Sequence, residues 1–254
     1  MVVTPGLGLA LLCLGLVAAA ALVYRLAHLG GPAVVPAAAG RAVLQLSAVA
    51  LILAAAVRQV WSAVLVVLVM FGAAAVTAAR RAEAGRSGTW LGLAIAAGIT
   101  AVLPATLLSG VVPIHGVTLV AIGGILLGGT MTATSLAARR GLDAVTRRRG
   151  EVEAALSLGF GARTARLVVL GDTAIDALIP GVDQARTVGL VTLPGAFIGV
   201  LLTSGSAVQA GAVQILVLIG LMLSQACAVA VTVELVARGR IHRNSPHSSE
   251  SRLT

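Results

Sequence analysis

Lysine is absent from this 254-residue chain, in which all 18 basic residues are arginine. A phosphate-binding loop of the form G-x-x-x-x-G-K-[ST] places the ammonium group of its lysine on the β and γ phosphates of a nucleotide. A chain without lysine cannot contain such a loop. The sequence therefore excludes a P-loop ATPase, and any ATP-driven process that involves this chain needs a separate nucleotide-binding subunit.

Charged and aromatic residues are also scarce. Charged residues make up 11% of the chain and aromatic residues 2%, whereas 58% of the residues are hydrophobic and the mean hydropathy is +1.03. This balance is too apolar for a surface that faces water, so the surrounding solvent is lipid. The apolar runs are continuous rather than alternating, and many are nearly 20 residues long, which predicts an all-α integral membrane protein.

Cysteine is nearly absent, and the two cysteines have no metal-site or disulfide spacing. Cys13 and Cys227 lie inside apolar runs near opposite ends of the chain and are interpreted as small core residues. Met131, Met222 and His115 are the other soft or borderline metal ligands considered, and none belongs to a spaced cluster. We therefore predict no metal site and no cofactor on this chain.

About seven stretches are long and apolar enough, or nearly so, to cross a membrane as helices. They are residues 7–24, 41–57, 60–79, 90–108, 116–137, 188–203 and 207–236. The second and sixth are short. Only Arg58 and Gln59 separate the second from the third, which predicts a tight helical hairpin. The first stretch lacks a positively charged n-region, so we interpret it as an uncleaved anchor rather than a signal peptide.

The arginines predict the orientation, because arginine-rich loops stay in the cytoplasm. With seven spans and an internal C-terminus, 17 of the 18 arginines lie on the cytoplasmic side, and only Arg58 lies outside. An even number of spans loses this asymmetry. We therefore expect a multi-pass protein of the inner (plasma) membrane, with its N-terminus outside and its C-terminus in the cytoplasm.

The predicted organisation has four parts. Residues 1–138 hold helices 1–5, residues 139–186 form a cytoplasmic segment, residues 187–237 hold helices 6 and 7, and residues 238–254 form a disordered cytoplasmic tail. Segment 139–186 carries eight arginines and six acids, so it is charge-balanced, whereas a lipid-surface segment is more strongly basic. Its apolar residues recur at mixed helical spacings. This pattern predicts short amphipathic helices with one face free for a protein partner.

A motif for contact with a partner lies in this segment. Residues 153–159 read E-A-A-x-x-x-G, from Glu153 through Ala154 and Ala155 to Gly159. Small residues permit the close approach of another surface, an acid pairs with a basic groove, and glycine allows a sharp exit. An ordinary alanine-rich helix with a glycine cap fits the same residues. The motif alone leaves both interpretations open.

The stretch from residue 123 to about residue 231 resembles the FetB-like family of ABC permeases, described as iron-export proteins. The residues that carry the resemblance are Met131-Thr132-Ala133, the motif 153–159, Leu178-Ile179-Pro180 with Asp183, and residues 187–195 (TVGLVTLPG) with Gly199 and Gln214. Residues 40–46 (GRAVLQL) also fit the family. The specific resemblance covers roughly half the chain. The family tends to have asparagine at Gly129 and basic residues near Gly171 and Ile175, where this chain has none.

The resemblance implies the membrane-spanning permease subunit of an ABC transporter that exports a metal ion such as iron. It implies that ATP and magnesium bind to a separate cytoplasmic ATPase subunit, so that this chain is not itself an enzyme. Because such a transporter needs two membrane halves, we expect a homodimer of the permease. The residues implied in coupling to the ATPase are Glu151, Glu153, Ala154, Ala155, Gly159, Arg163, Pro180 and Asp183. Those implied in the pathway or its hinges are Met131, Thr132, Gly189, Thr192, Pro194, Gly195, Gly199 and Gln214.

Three local predictions come from residue chemistry. Pro194 lies within the sixth predicted span, where it removes a backbone hydrogen bond and kinks the helix, with or without a role in transport. The glycine pairs at 123–124 and 128–129 predict tight helix crossings. Glu234, the only carboxylate in the last span, has Arg238 four residues later, which predicts an ion pair at the cytoplasmic end.

Two functions of other classes remain as alternatives. A secondary transporter driven by an ion gradient usually places aspartate, glutamate or histidine near the bilayer midplane, or shows inverted repeats. The sequence shows neither feature. The second alternative is a membrane scaffold without transport, which any set of apolar helices of this length permits.

Overall fold

The computed structural model describes residues 6–56, 59–112 and 115–243, and nearly all of these residues are helical. Within the described residues there is no β-strand, and the one isolated bridge joins Val188 to Thr192. The chain divides into two compact units, residues 1–58 and residues 59–254. The all-α fold is therefore confirmed for the described part of the chain.

The first unit is a pair of helices. It contains α1 (Leu7–Leu26) and α2 (Val34–Ala56), which pack against each other. No residue of α1 is buried, and all of its leucines and one of its two valines, Val23, are exposed. A helix that is apolar all round and unburied is suited to lipid rather than to water.

The second unit is a bundle built around two long helices. Its helices are α3 (Val60–Arg81), a short 3-10 helix (Gly85–Gly88), α4 (Thr89–Leu108), α5 (Gly116–Arg147), α6 (Arg149–Ser157), α7 (Ala162–Thr187), α8 (Gly195–Ser204) and α9 (Ala207–Ala237). Helix α5 packs against α3, α4, α7 and α9, and α9 also packs against α4, α7 and α8. The core between them contains fully buried side chains such as Ile95, Leu126 and Val229.

Glycines let the helices approach closely, as the sequence predicts. Gly123 and Gly124 lie against side chains of α3, and a Cβ on Gly129 would lie 2.5 Å from Leu221 Cδ1 on α9. Gly128 has nothing within 4 Å of a built Cβ. Tight crossings are therefore confirmed at three of the four predicted glycines.

A polar crossing lies between α4, α5 and α9. The hydroxyls of Thr130 and Ser224 are 2.7 Å apart and both residues are fully buried. Gly98 on α4 faces the same point, where a Cβ would overlap the carbonyl oxygen of Ser224. Hydrogen bonds of this kind between small residues hold membrane helices together without apolar driving force.

Five described segments are long and apolar enough to cross a membrane. They are Leu7–Leu26, Val60–Arg81, Gly85–Leu108, Gly116–Arg147 and Ala207–Ala237. The apolar helix Val34–Ala50 and α8 are shorter. A multi-pass membrane protein is thus confirmed, while the count of seven spans stays a prediction. The link at residues 57–58 in the predicted hairpin lies outside the described residues.

The prediction that Pro194 kinks a continuous sixth span is wrong. Helix α7 ends at Thr187, residues 188–194 are not helical, and Pro194 is the residue that caps the start of α8. Proline disfavours helical conformation in the residue before it and is tolerated where a helix begins. Gly189 has φ = 83°, a left-handed conformation that suits glycine. The segment is therefore a break between two helices rather than a bend within one.

The segment predicted to form short amphipathic helices contains one short helix and one long one. Helix α6 has nine residues, whereas α7 has 26 and continues through Pro180. The second half of α7 packs beside α5, where Ala177 and Gly181 are buried. This packing outweighs the hydrogen bond that proline removes. Helix α5 also continues ten residues beyond its predicted end at 137, to Arg147.

Candidate functional site

Helix α6 ends at a glycine that reverses the chain. Gly159 has φ = 87°, its N–H donates to the carbonyl of Leu156 at 3.0 Å, and the N–H of Phe160 donates to the carbonyl of Ala155 at 3.1 Å. These two bonds form a Schellman motif, which satisfies the last carbonyls of a helix. The sharp exit predicted from Gly159 is confirmed, and α6 lies as a separate short helix against α7.

The acids of α6 form ion pairs with the arginines that precede them. Arg148 donates to both carboxylate oxygens of Glu151, at 2.7 and 2.6 Å, and Arg149 Nε donates to Glu153 Oε1 at 2.7 Å. The hydrogen bonds from Arg148 lower the pKa of Glu151, and that carboxylate in turn raises the pKa of Arg148. Both acids lie on the exposed side of α6.

The rest of α6 has a buried side and an apolar exposed end. Val152 and Ala155 are buried, whereas Ala154 is exposed. Leu158 and Phe160, at the turn into α7, are 79% and 49% exposed. The turn therefore presents apolar side chains next to the carboxylates of α6.

Glu234 joins the start of α7 to the end of α9. Arg163 donates to both of its oxygens, at 2.8 and 2.7 Å, and Arg238 Nε donates to Oε1 at 2.5 Å. Arg166 Nη1 also donates to the carbonyl of Ala237 at 3.0 Å. The predicted pair of Glu234 with Arg238 is confirmed, and the carboxylate raises the pKa of Arg163 as well.

Arg140 of α5 and Arg148, which lies between α5 and α6, pair with acids of α7. Arg140 Nη1 lies 2.9 Å from Asp176 Oδ2, and Arg148 Nη1 lies 4.0 Å from Asp172 Oδ2. The sequence has no basic residues near Asp172 and Asp176 on α7 itself. The folded bundle supplies them from α5 and from the residue that follows it.

Residues 238–243 pack against the bundle instead of forming the first part of a disordered tail. Ile241 is 2% exposed, Ser87 Oγ donates to the carbonyl of His242 at 2.9 Å, and the N–H of His242 donates to Ser87 Oγ at 3.1 Å. Arg243 lies 2.8 Å from Asp143 and 3.4 Å from Glu83. The prediction of disorder is wrong for 238–243, because a buried isoleucine and paired charges hold them. Residues 244–254 lie outside the described part.

We call α6, the first two turns of α7 and residues 234–243 the charged end of the bundle. Arg163 and the α6 residues predicted to couple to an ATPase lie there. Asp183 and Pro180 lie in the second half of α7 instead, where Asp183 pairs with Arg186 at 3.5 Å. The structure thus separates the predicted coupling residues into two groups.

An open cavity of about 270 Å³ lies where α5, α7 and α9 meet, and Thr132, Pro180 and Gln184 on its lining are exposed. We call it the α5–α7–α9 cavity. Its polar side chains are Thr132, Gln184 and Gln225, and Gly129, Pro180 and Gly181 also line it. Two residues predicted for different roles, Thr132 and Pro180, therefore meet at one place.

Gln225 is the cavity residue that the sequence analysis missed. Its side chain lies between two glycines: a Cβ on Gly181 would overlap Oε1, and one on Gly129 would lie 3.0 Å from Nε2. The residue is 7% exposed. The sequence signal was an amide inside a long apolar run, but Gln214 gives the same signal, and only the fold distinguishes the two.

The other predicted pathway residues do not line this cavity. Met131 packs against the core, and Gln214 is buried on α9 with Oε1 unpaired. Gly189, Thr192, Pro194 and Gly195 form the break between α7 and α8, where the N–H of Gly189 donates to the carbonyl of Thr192 at 2.9 Å. Gly199 is exposed on α8. Among the residues described, no group of three or more His, Cys, Asp or Glu is placed to hold a metal ion.

Comparison with known proteins shows which proteins this chain is similar to. Residues 8–241 match the family model described as "Uncharacterised protein family (UPF0014)". The "Protein ALUMINUM SENSITIVE 3" of Arabidopsis thaliana is 32% identical over 195 residues, which cover 76% of this chain and 71% of that protein. The "UPF0014 membrane protein STAR2" of Oryza sativa subsp. japonica is 32% identical over 188 residues, 73% of this chain and 66% of that protein.

A bacterial relative is also similar. The "Probable iron export permease protein FetB" of Escherichia coli (strain K12) is 30% identical over 150 residues, which cover 59% of this chain and 57% of that protein. No solved structure is similar to the chain. The resemblance to FetB-like proteins is confirmed. The family match spans almost the whole of the described helices, so this chain belongs to the UPF0014 family of membrane proteins.

Proposed function

We propose that this chain is the membrane-spanning permease subunit of an ABC transporter, driven by ATP hydrolysis on a separate subunit. The observation that carries the proposal is the exposed face of α6. A Schellman turn separates this short helix from α7, and its acids and apolar end point away from the bundle. A helix presented in this way fits the cleft of a partner protein.

The chemistry of α6 indicates what the partner surface contains. Leu158 and Phe160 provide an apolar contact, and Glu153 lies beside them on the exposed side. An apolar centre with a charged rim is the usual arrangement of a protein interface. The complementary cleft is apolar with a basic edge. ATP and magnesium bind to that partner, because this chain has no lysine for a phosphate loop.

A force applied to α6 can be transmitted into the bundle through contacts between helices. Helix α6 packs against α7, and α7 packs against α5 and α9. The bond from Arg163 to Glu234 joins the start of α7 to the end of α9, so the two helices respond together. This route ends at the α5–α7–α9 cavity.

We infer that the transporter exports a metal ion such as iron. The support is the name of the Escherichia coli relative, "Probable iron export permease protein FetB". The distribution of arginine supports a plasma-membrane location with the charged end in the cytoplasm. Because this chain supplies one membrane half, the complex contains two copies of it and two ATPase subunits.

The test is charge reversal at Glu153 in vesicles that contain both subunits. Glu153→Arg should abolish ATP-dependent metal transport while leaving membrane insertion and thermal stability unchanged, because an exposed ion pair contributes little to stability. The measurements are metal flux with ATP, and the melting temperature of the purified permease.

Arg149→Glu is the matched control, because it breaks the same ion pair and leaves Glu153 in place. If docking depends on the carboxylate, this control retains more transport than Glu153→Arg. Unchanged transport in Glu153→Arg would contradict the coupling role of α6.

A secondary transporter driven by an ion gradient is the second candidate. The observation that favours it is α7, which carries Asp176 and Asp183 along the side of α5, and ionisable groups within a membrane commonly mark ion pathways. Metal movement in vesicles with a proton gradient but without ATP or an ATPase subunit would select this function over the first.

A further inference from the structure

A buried glutamine, Gln225, faces the α5–α7–α9 cavity, and no described residue forms a hydrogen bond with its amide. Gln225 is 7% exposed, and its side chain forms no hydrogen bond with any residue that the structure describes. Buried polar side chains are almost always bonded to protein, water or a ligand. The amide is therefore open to a water or another polar group that enters the cavity.

The position of the amide is fixed by the surrounding helices. A Cβ on Gly181 of α7 would overlap Gln225 Oε1, whereas a Cβ on Gly129 of α5 would overlap Leu221 first and lie 3.0 Å from Gln225 Nε2. An alanine at either position would favour helix formation, since glycine weakens a helix by about 1 kcal/mol in general. Gly181 thus leaves space for Gln225 at a place where glycine does not favour the helix itself.

Other neutral oxygens face the same space. Thr132 Oγ1 donates its proton to the carbonyl of Gly128 at 2.9 Å, so its lone pairs remain available to a cation or a water. Gln184 adds a second amide. Pro180 has no N–H to donate to the carbonyl four residues earlier, on Asp176. Oxygen ligands of this kind suit hard or borderline divalent cations.

The cavity lies about halfway across the apolar part of the bundle. Gly129 precedes Arg139, the first charged residue of α5, by ten residues, and Gln225 precedes Glu234 by nine. At about 1.5 Å per residue these separations are about 15 and 13.5 Å, close to half of a hydrocarbon core of about 30 Å. On α5 and α9 the cavity thus lies well inside the apolar length of the helix, whereas on α7 its lining residues lie between Asp176 and Arg186.

The size of the cavity fits a hydrated ion. Six waters occupy about 180 Å³ at about 30 Å³ each, less than the cavity volume of about 270 Å³. None of the described residues that line it is charged. Neutral oxygens bind a cation weakly enough to release it, which a transport site requires.

We propose that the α5–α7–α9 cavity is the transit site for a divalent metal cation that keeps part of its water shell and is held by Thr132, Gln184 and Gln225. The inference rests on the proposed metal transport and adds the place and the ligands. It predicts that metal binds to the permease alone, before any ATPase subunit is present.

The first test measures Mn²⁺ binding to the purified permease in detergent, from the loss of the electron paramagnetic resonance signal of free Mn²⁺. Gly181→Ala should weaken binding about tenfold or more, since the new Cβ displaces the Gln225 amide. Gly171→Ala is the matched control on the same helix, because it has nothing within 4 Å and should bind as the native chain does. Equal binding by both variants, or no saturable binding by the native chain, overturns the inference.

The second test changes the chemistry of the ligand without adding a Cβ to a glycine. Gln225→Leu should weaken Mn²⁺ binding about tenfold and Gln225→Glu should strengthen it by a similar factor, because a carboxylate attracts a cation. Gln209→Leu, at an exposed position of the same helix, is the control. Weaker binding in Gln225→Glu than in Gln225→Leu would overturn the assignment of a cation.

Different results would contradict the proposed transporter function and the proposed cavity site. If ATP-driven metal transport persists in Gly181→Ala and Gln225→Leu at the native rate and metal concentration dependence, the cavity assignment fails and the transporter function stands. If Mn²⁺ binding follows the cavity variants but no transport responds to ATP, the site stands and the ABC function fails.

Discussion

The charged end and the α5–α7–α9 cavity differ in whether their polar side chains have partners. In the described part of the chain, each of the eight carboxylates lies within 4 Å of an arginine, and most of these pairs lie at the charged end or beside it. In the cavity, by contrast, none of the described residues forms a hydrogen bond with the Gln225 amide. Paired charges fix the relative positions of helices, whereas an unpaired amide is free to bind an exchangeable ligand.

The charged end and the interior of the bundle also differ in the interactions that stabilise them. The ion pairs of the charged end are largely exposed, and exposed pairs contribute little individually. The interior of α4, α5 and α9 depends on close packing, in which a single added carbon has no space. Substitutions in the interior should therefore affect stability more than those at the charged end.

The largest effect on stability is expected from Gly98→Ala. The added Cβ would overlap the carbonyl oxygen of Ser224, a backbone atom that cannot move away as a flexible side chain can. We expect a loss of about 1–3 kcal/mol, as for other overpacked cores. Thermal unfolding in detergent measures it. Gly211→Ala on α9 has nothing within 4 Å and should be neutral or slightly stabilising. Equal melting temperatures for the two variants would contradict the close crossing.

A smaller effect is expected from the hydrogen bond between Thr130 and Ser224, which joins α5 to α9 at 2.7 Å. A double-mutant cycle with Thr130→Val and Ser224→Ala should give a coupling free energy of about 0.6 kcal/mol, typical of hydrogen bonds between membrane helices. Thr106→Val is the control, because its hydroxyl bonds only to the carbonyl of Val102 on its own helix. A similar coupling free energy between Thr106 and Ser224 would show that the double-mutant cycle measures something other than the hydrogen bond between Thr130 and Ser224.

At the charged end, Glu234→Gln should produce a smaller fall in melting temperature than Gly98→Ala. The substitution removes the charge that Arg163 and Arg238 share, although the amide oxygen still accepts a hydrogen bond. Hydrogen exchange should become faster in the first turns of α7. Glu153→Gln, whose pair lies within α6 and its cap, should leave that exchange unchanged. No change in either variant would mean that Glu234 does not hold α7.

The smallest effect is expected from Glu151→Gln, and it should depend on pH. The hydrogen bonds from Arg148 lower the pKa of Glu151 in the folded chain, so the pair stabilises the fold above the usual pKa of a glutamate. That stabilisation disappears as the pH falls through the lowered value. The difference in melting temperature between the native chain and the variant should therefore shrink towards acid pH. A difference that grows would contradict the pairing.

Local patterns in the sequence predicted local structure well. The turn at Gly159, the pair of Glu234 with Arg238, and the crossings at residues 123–124 each depend on neighbours one helical turn apart or on the small size of glycine, and all were correct. Such features follow from helix geometry without knowledge of the fold.

Features that depend on distant contacts were not accessible from the sequence. The second partner of Glu234, Arg163, lies 71 residues away. The continuation of α7 through Pro180 depends on its packing against α5, which local propensity does not report. Gln225 and Gln214 look alike as amides in one apolar helix, and only the fold shows that Gly129 and Gly181 surround the first.

The bond between Arg163 and Glu234 fixes the start of α7 to the end of α9, so that this end can act as a pivot. Because this bond holds the start of α7 to α9, a force applied to α6 would tilt α7 about that end. Gly181 lies 18 residues from this pivot, which corresponds to about 27 Å along the helix. A tilt of about ten degrees would shift Gly181 by about 5 Å over that length. Gly181, which lies against Gln225, would move with this distant half of the helix.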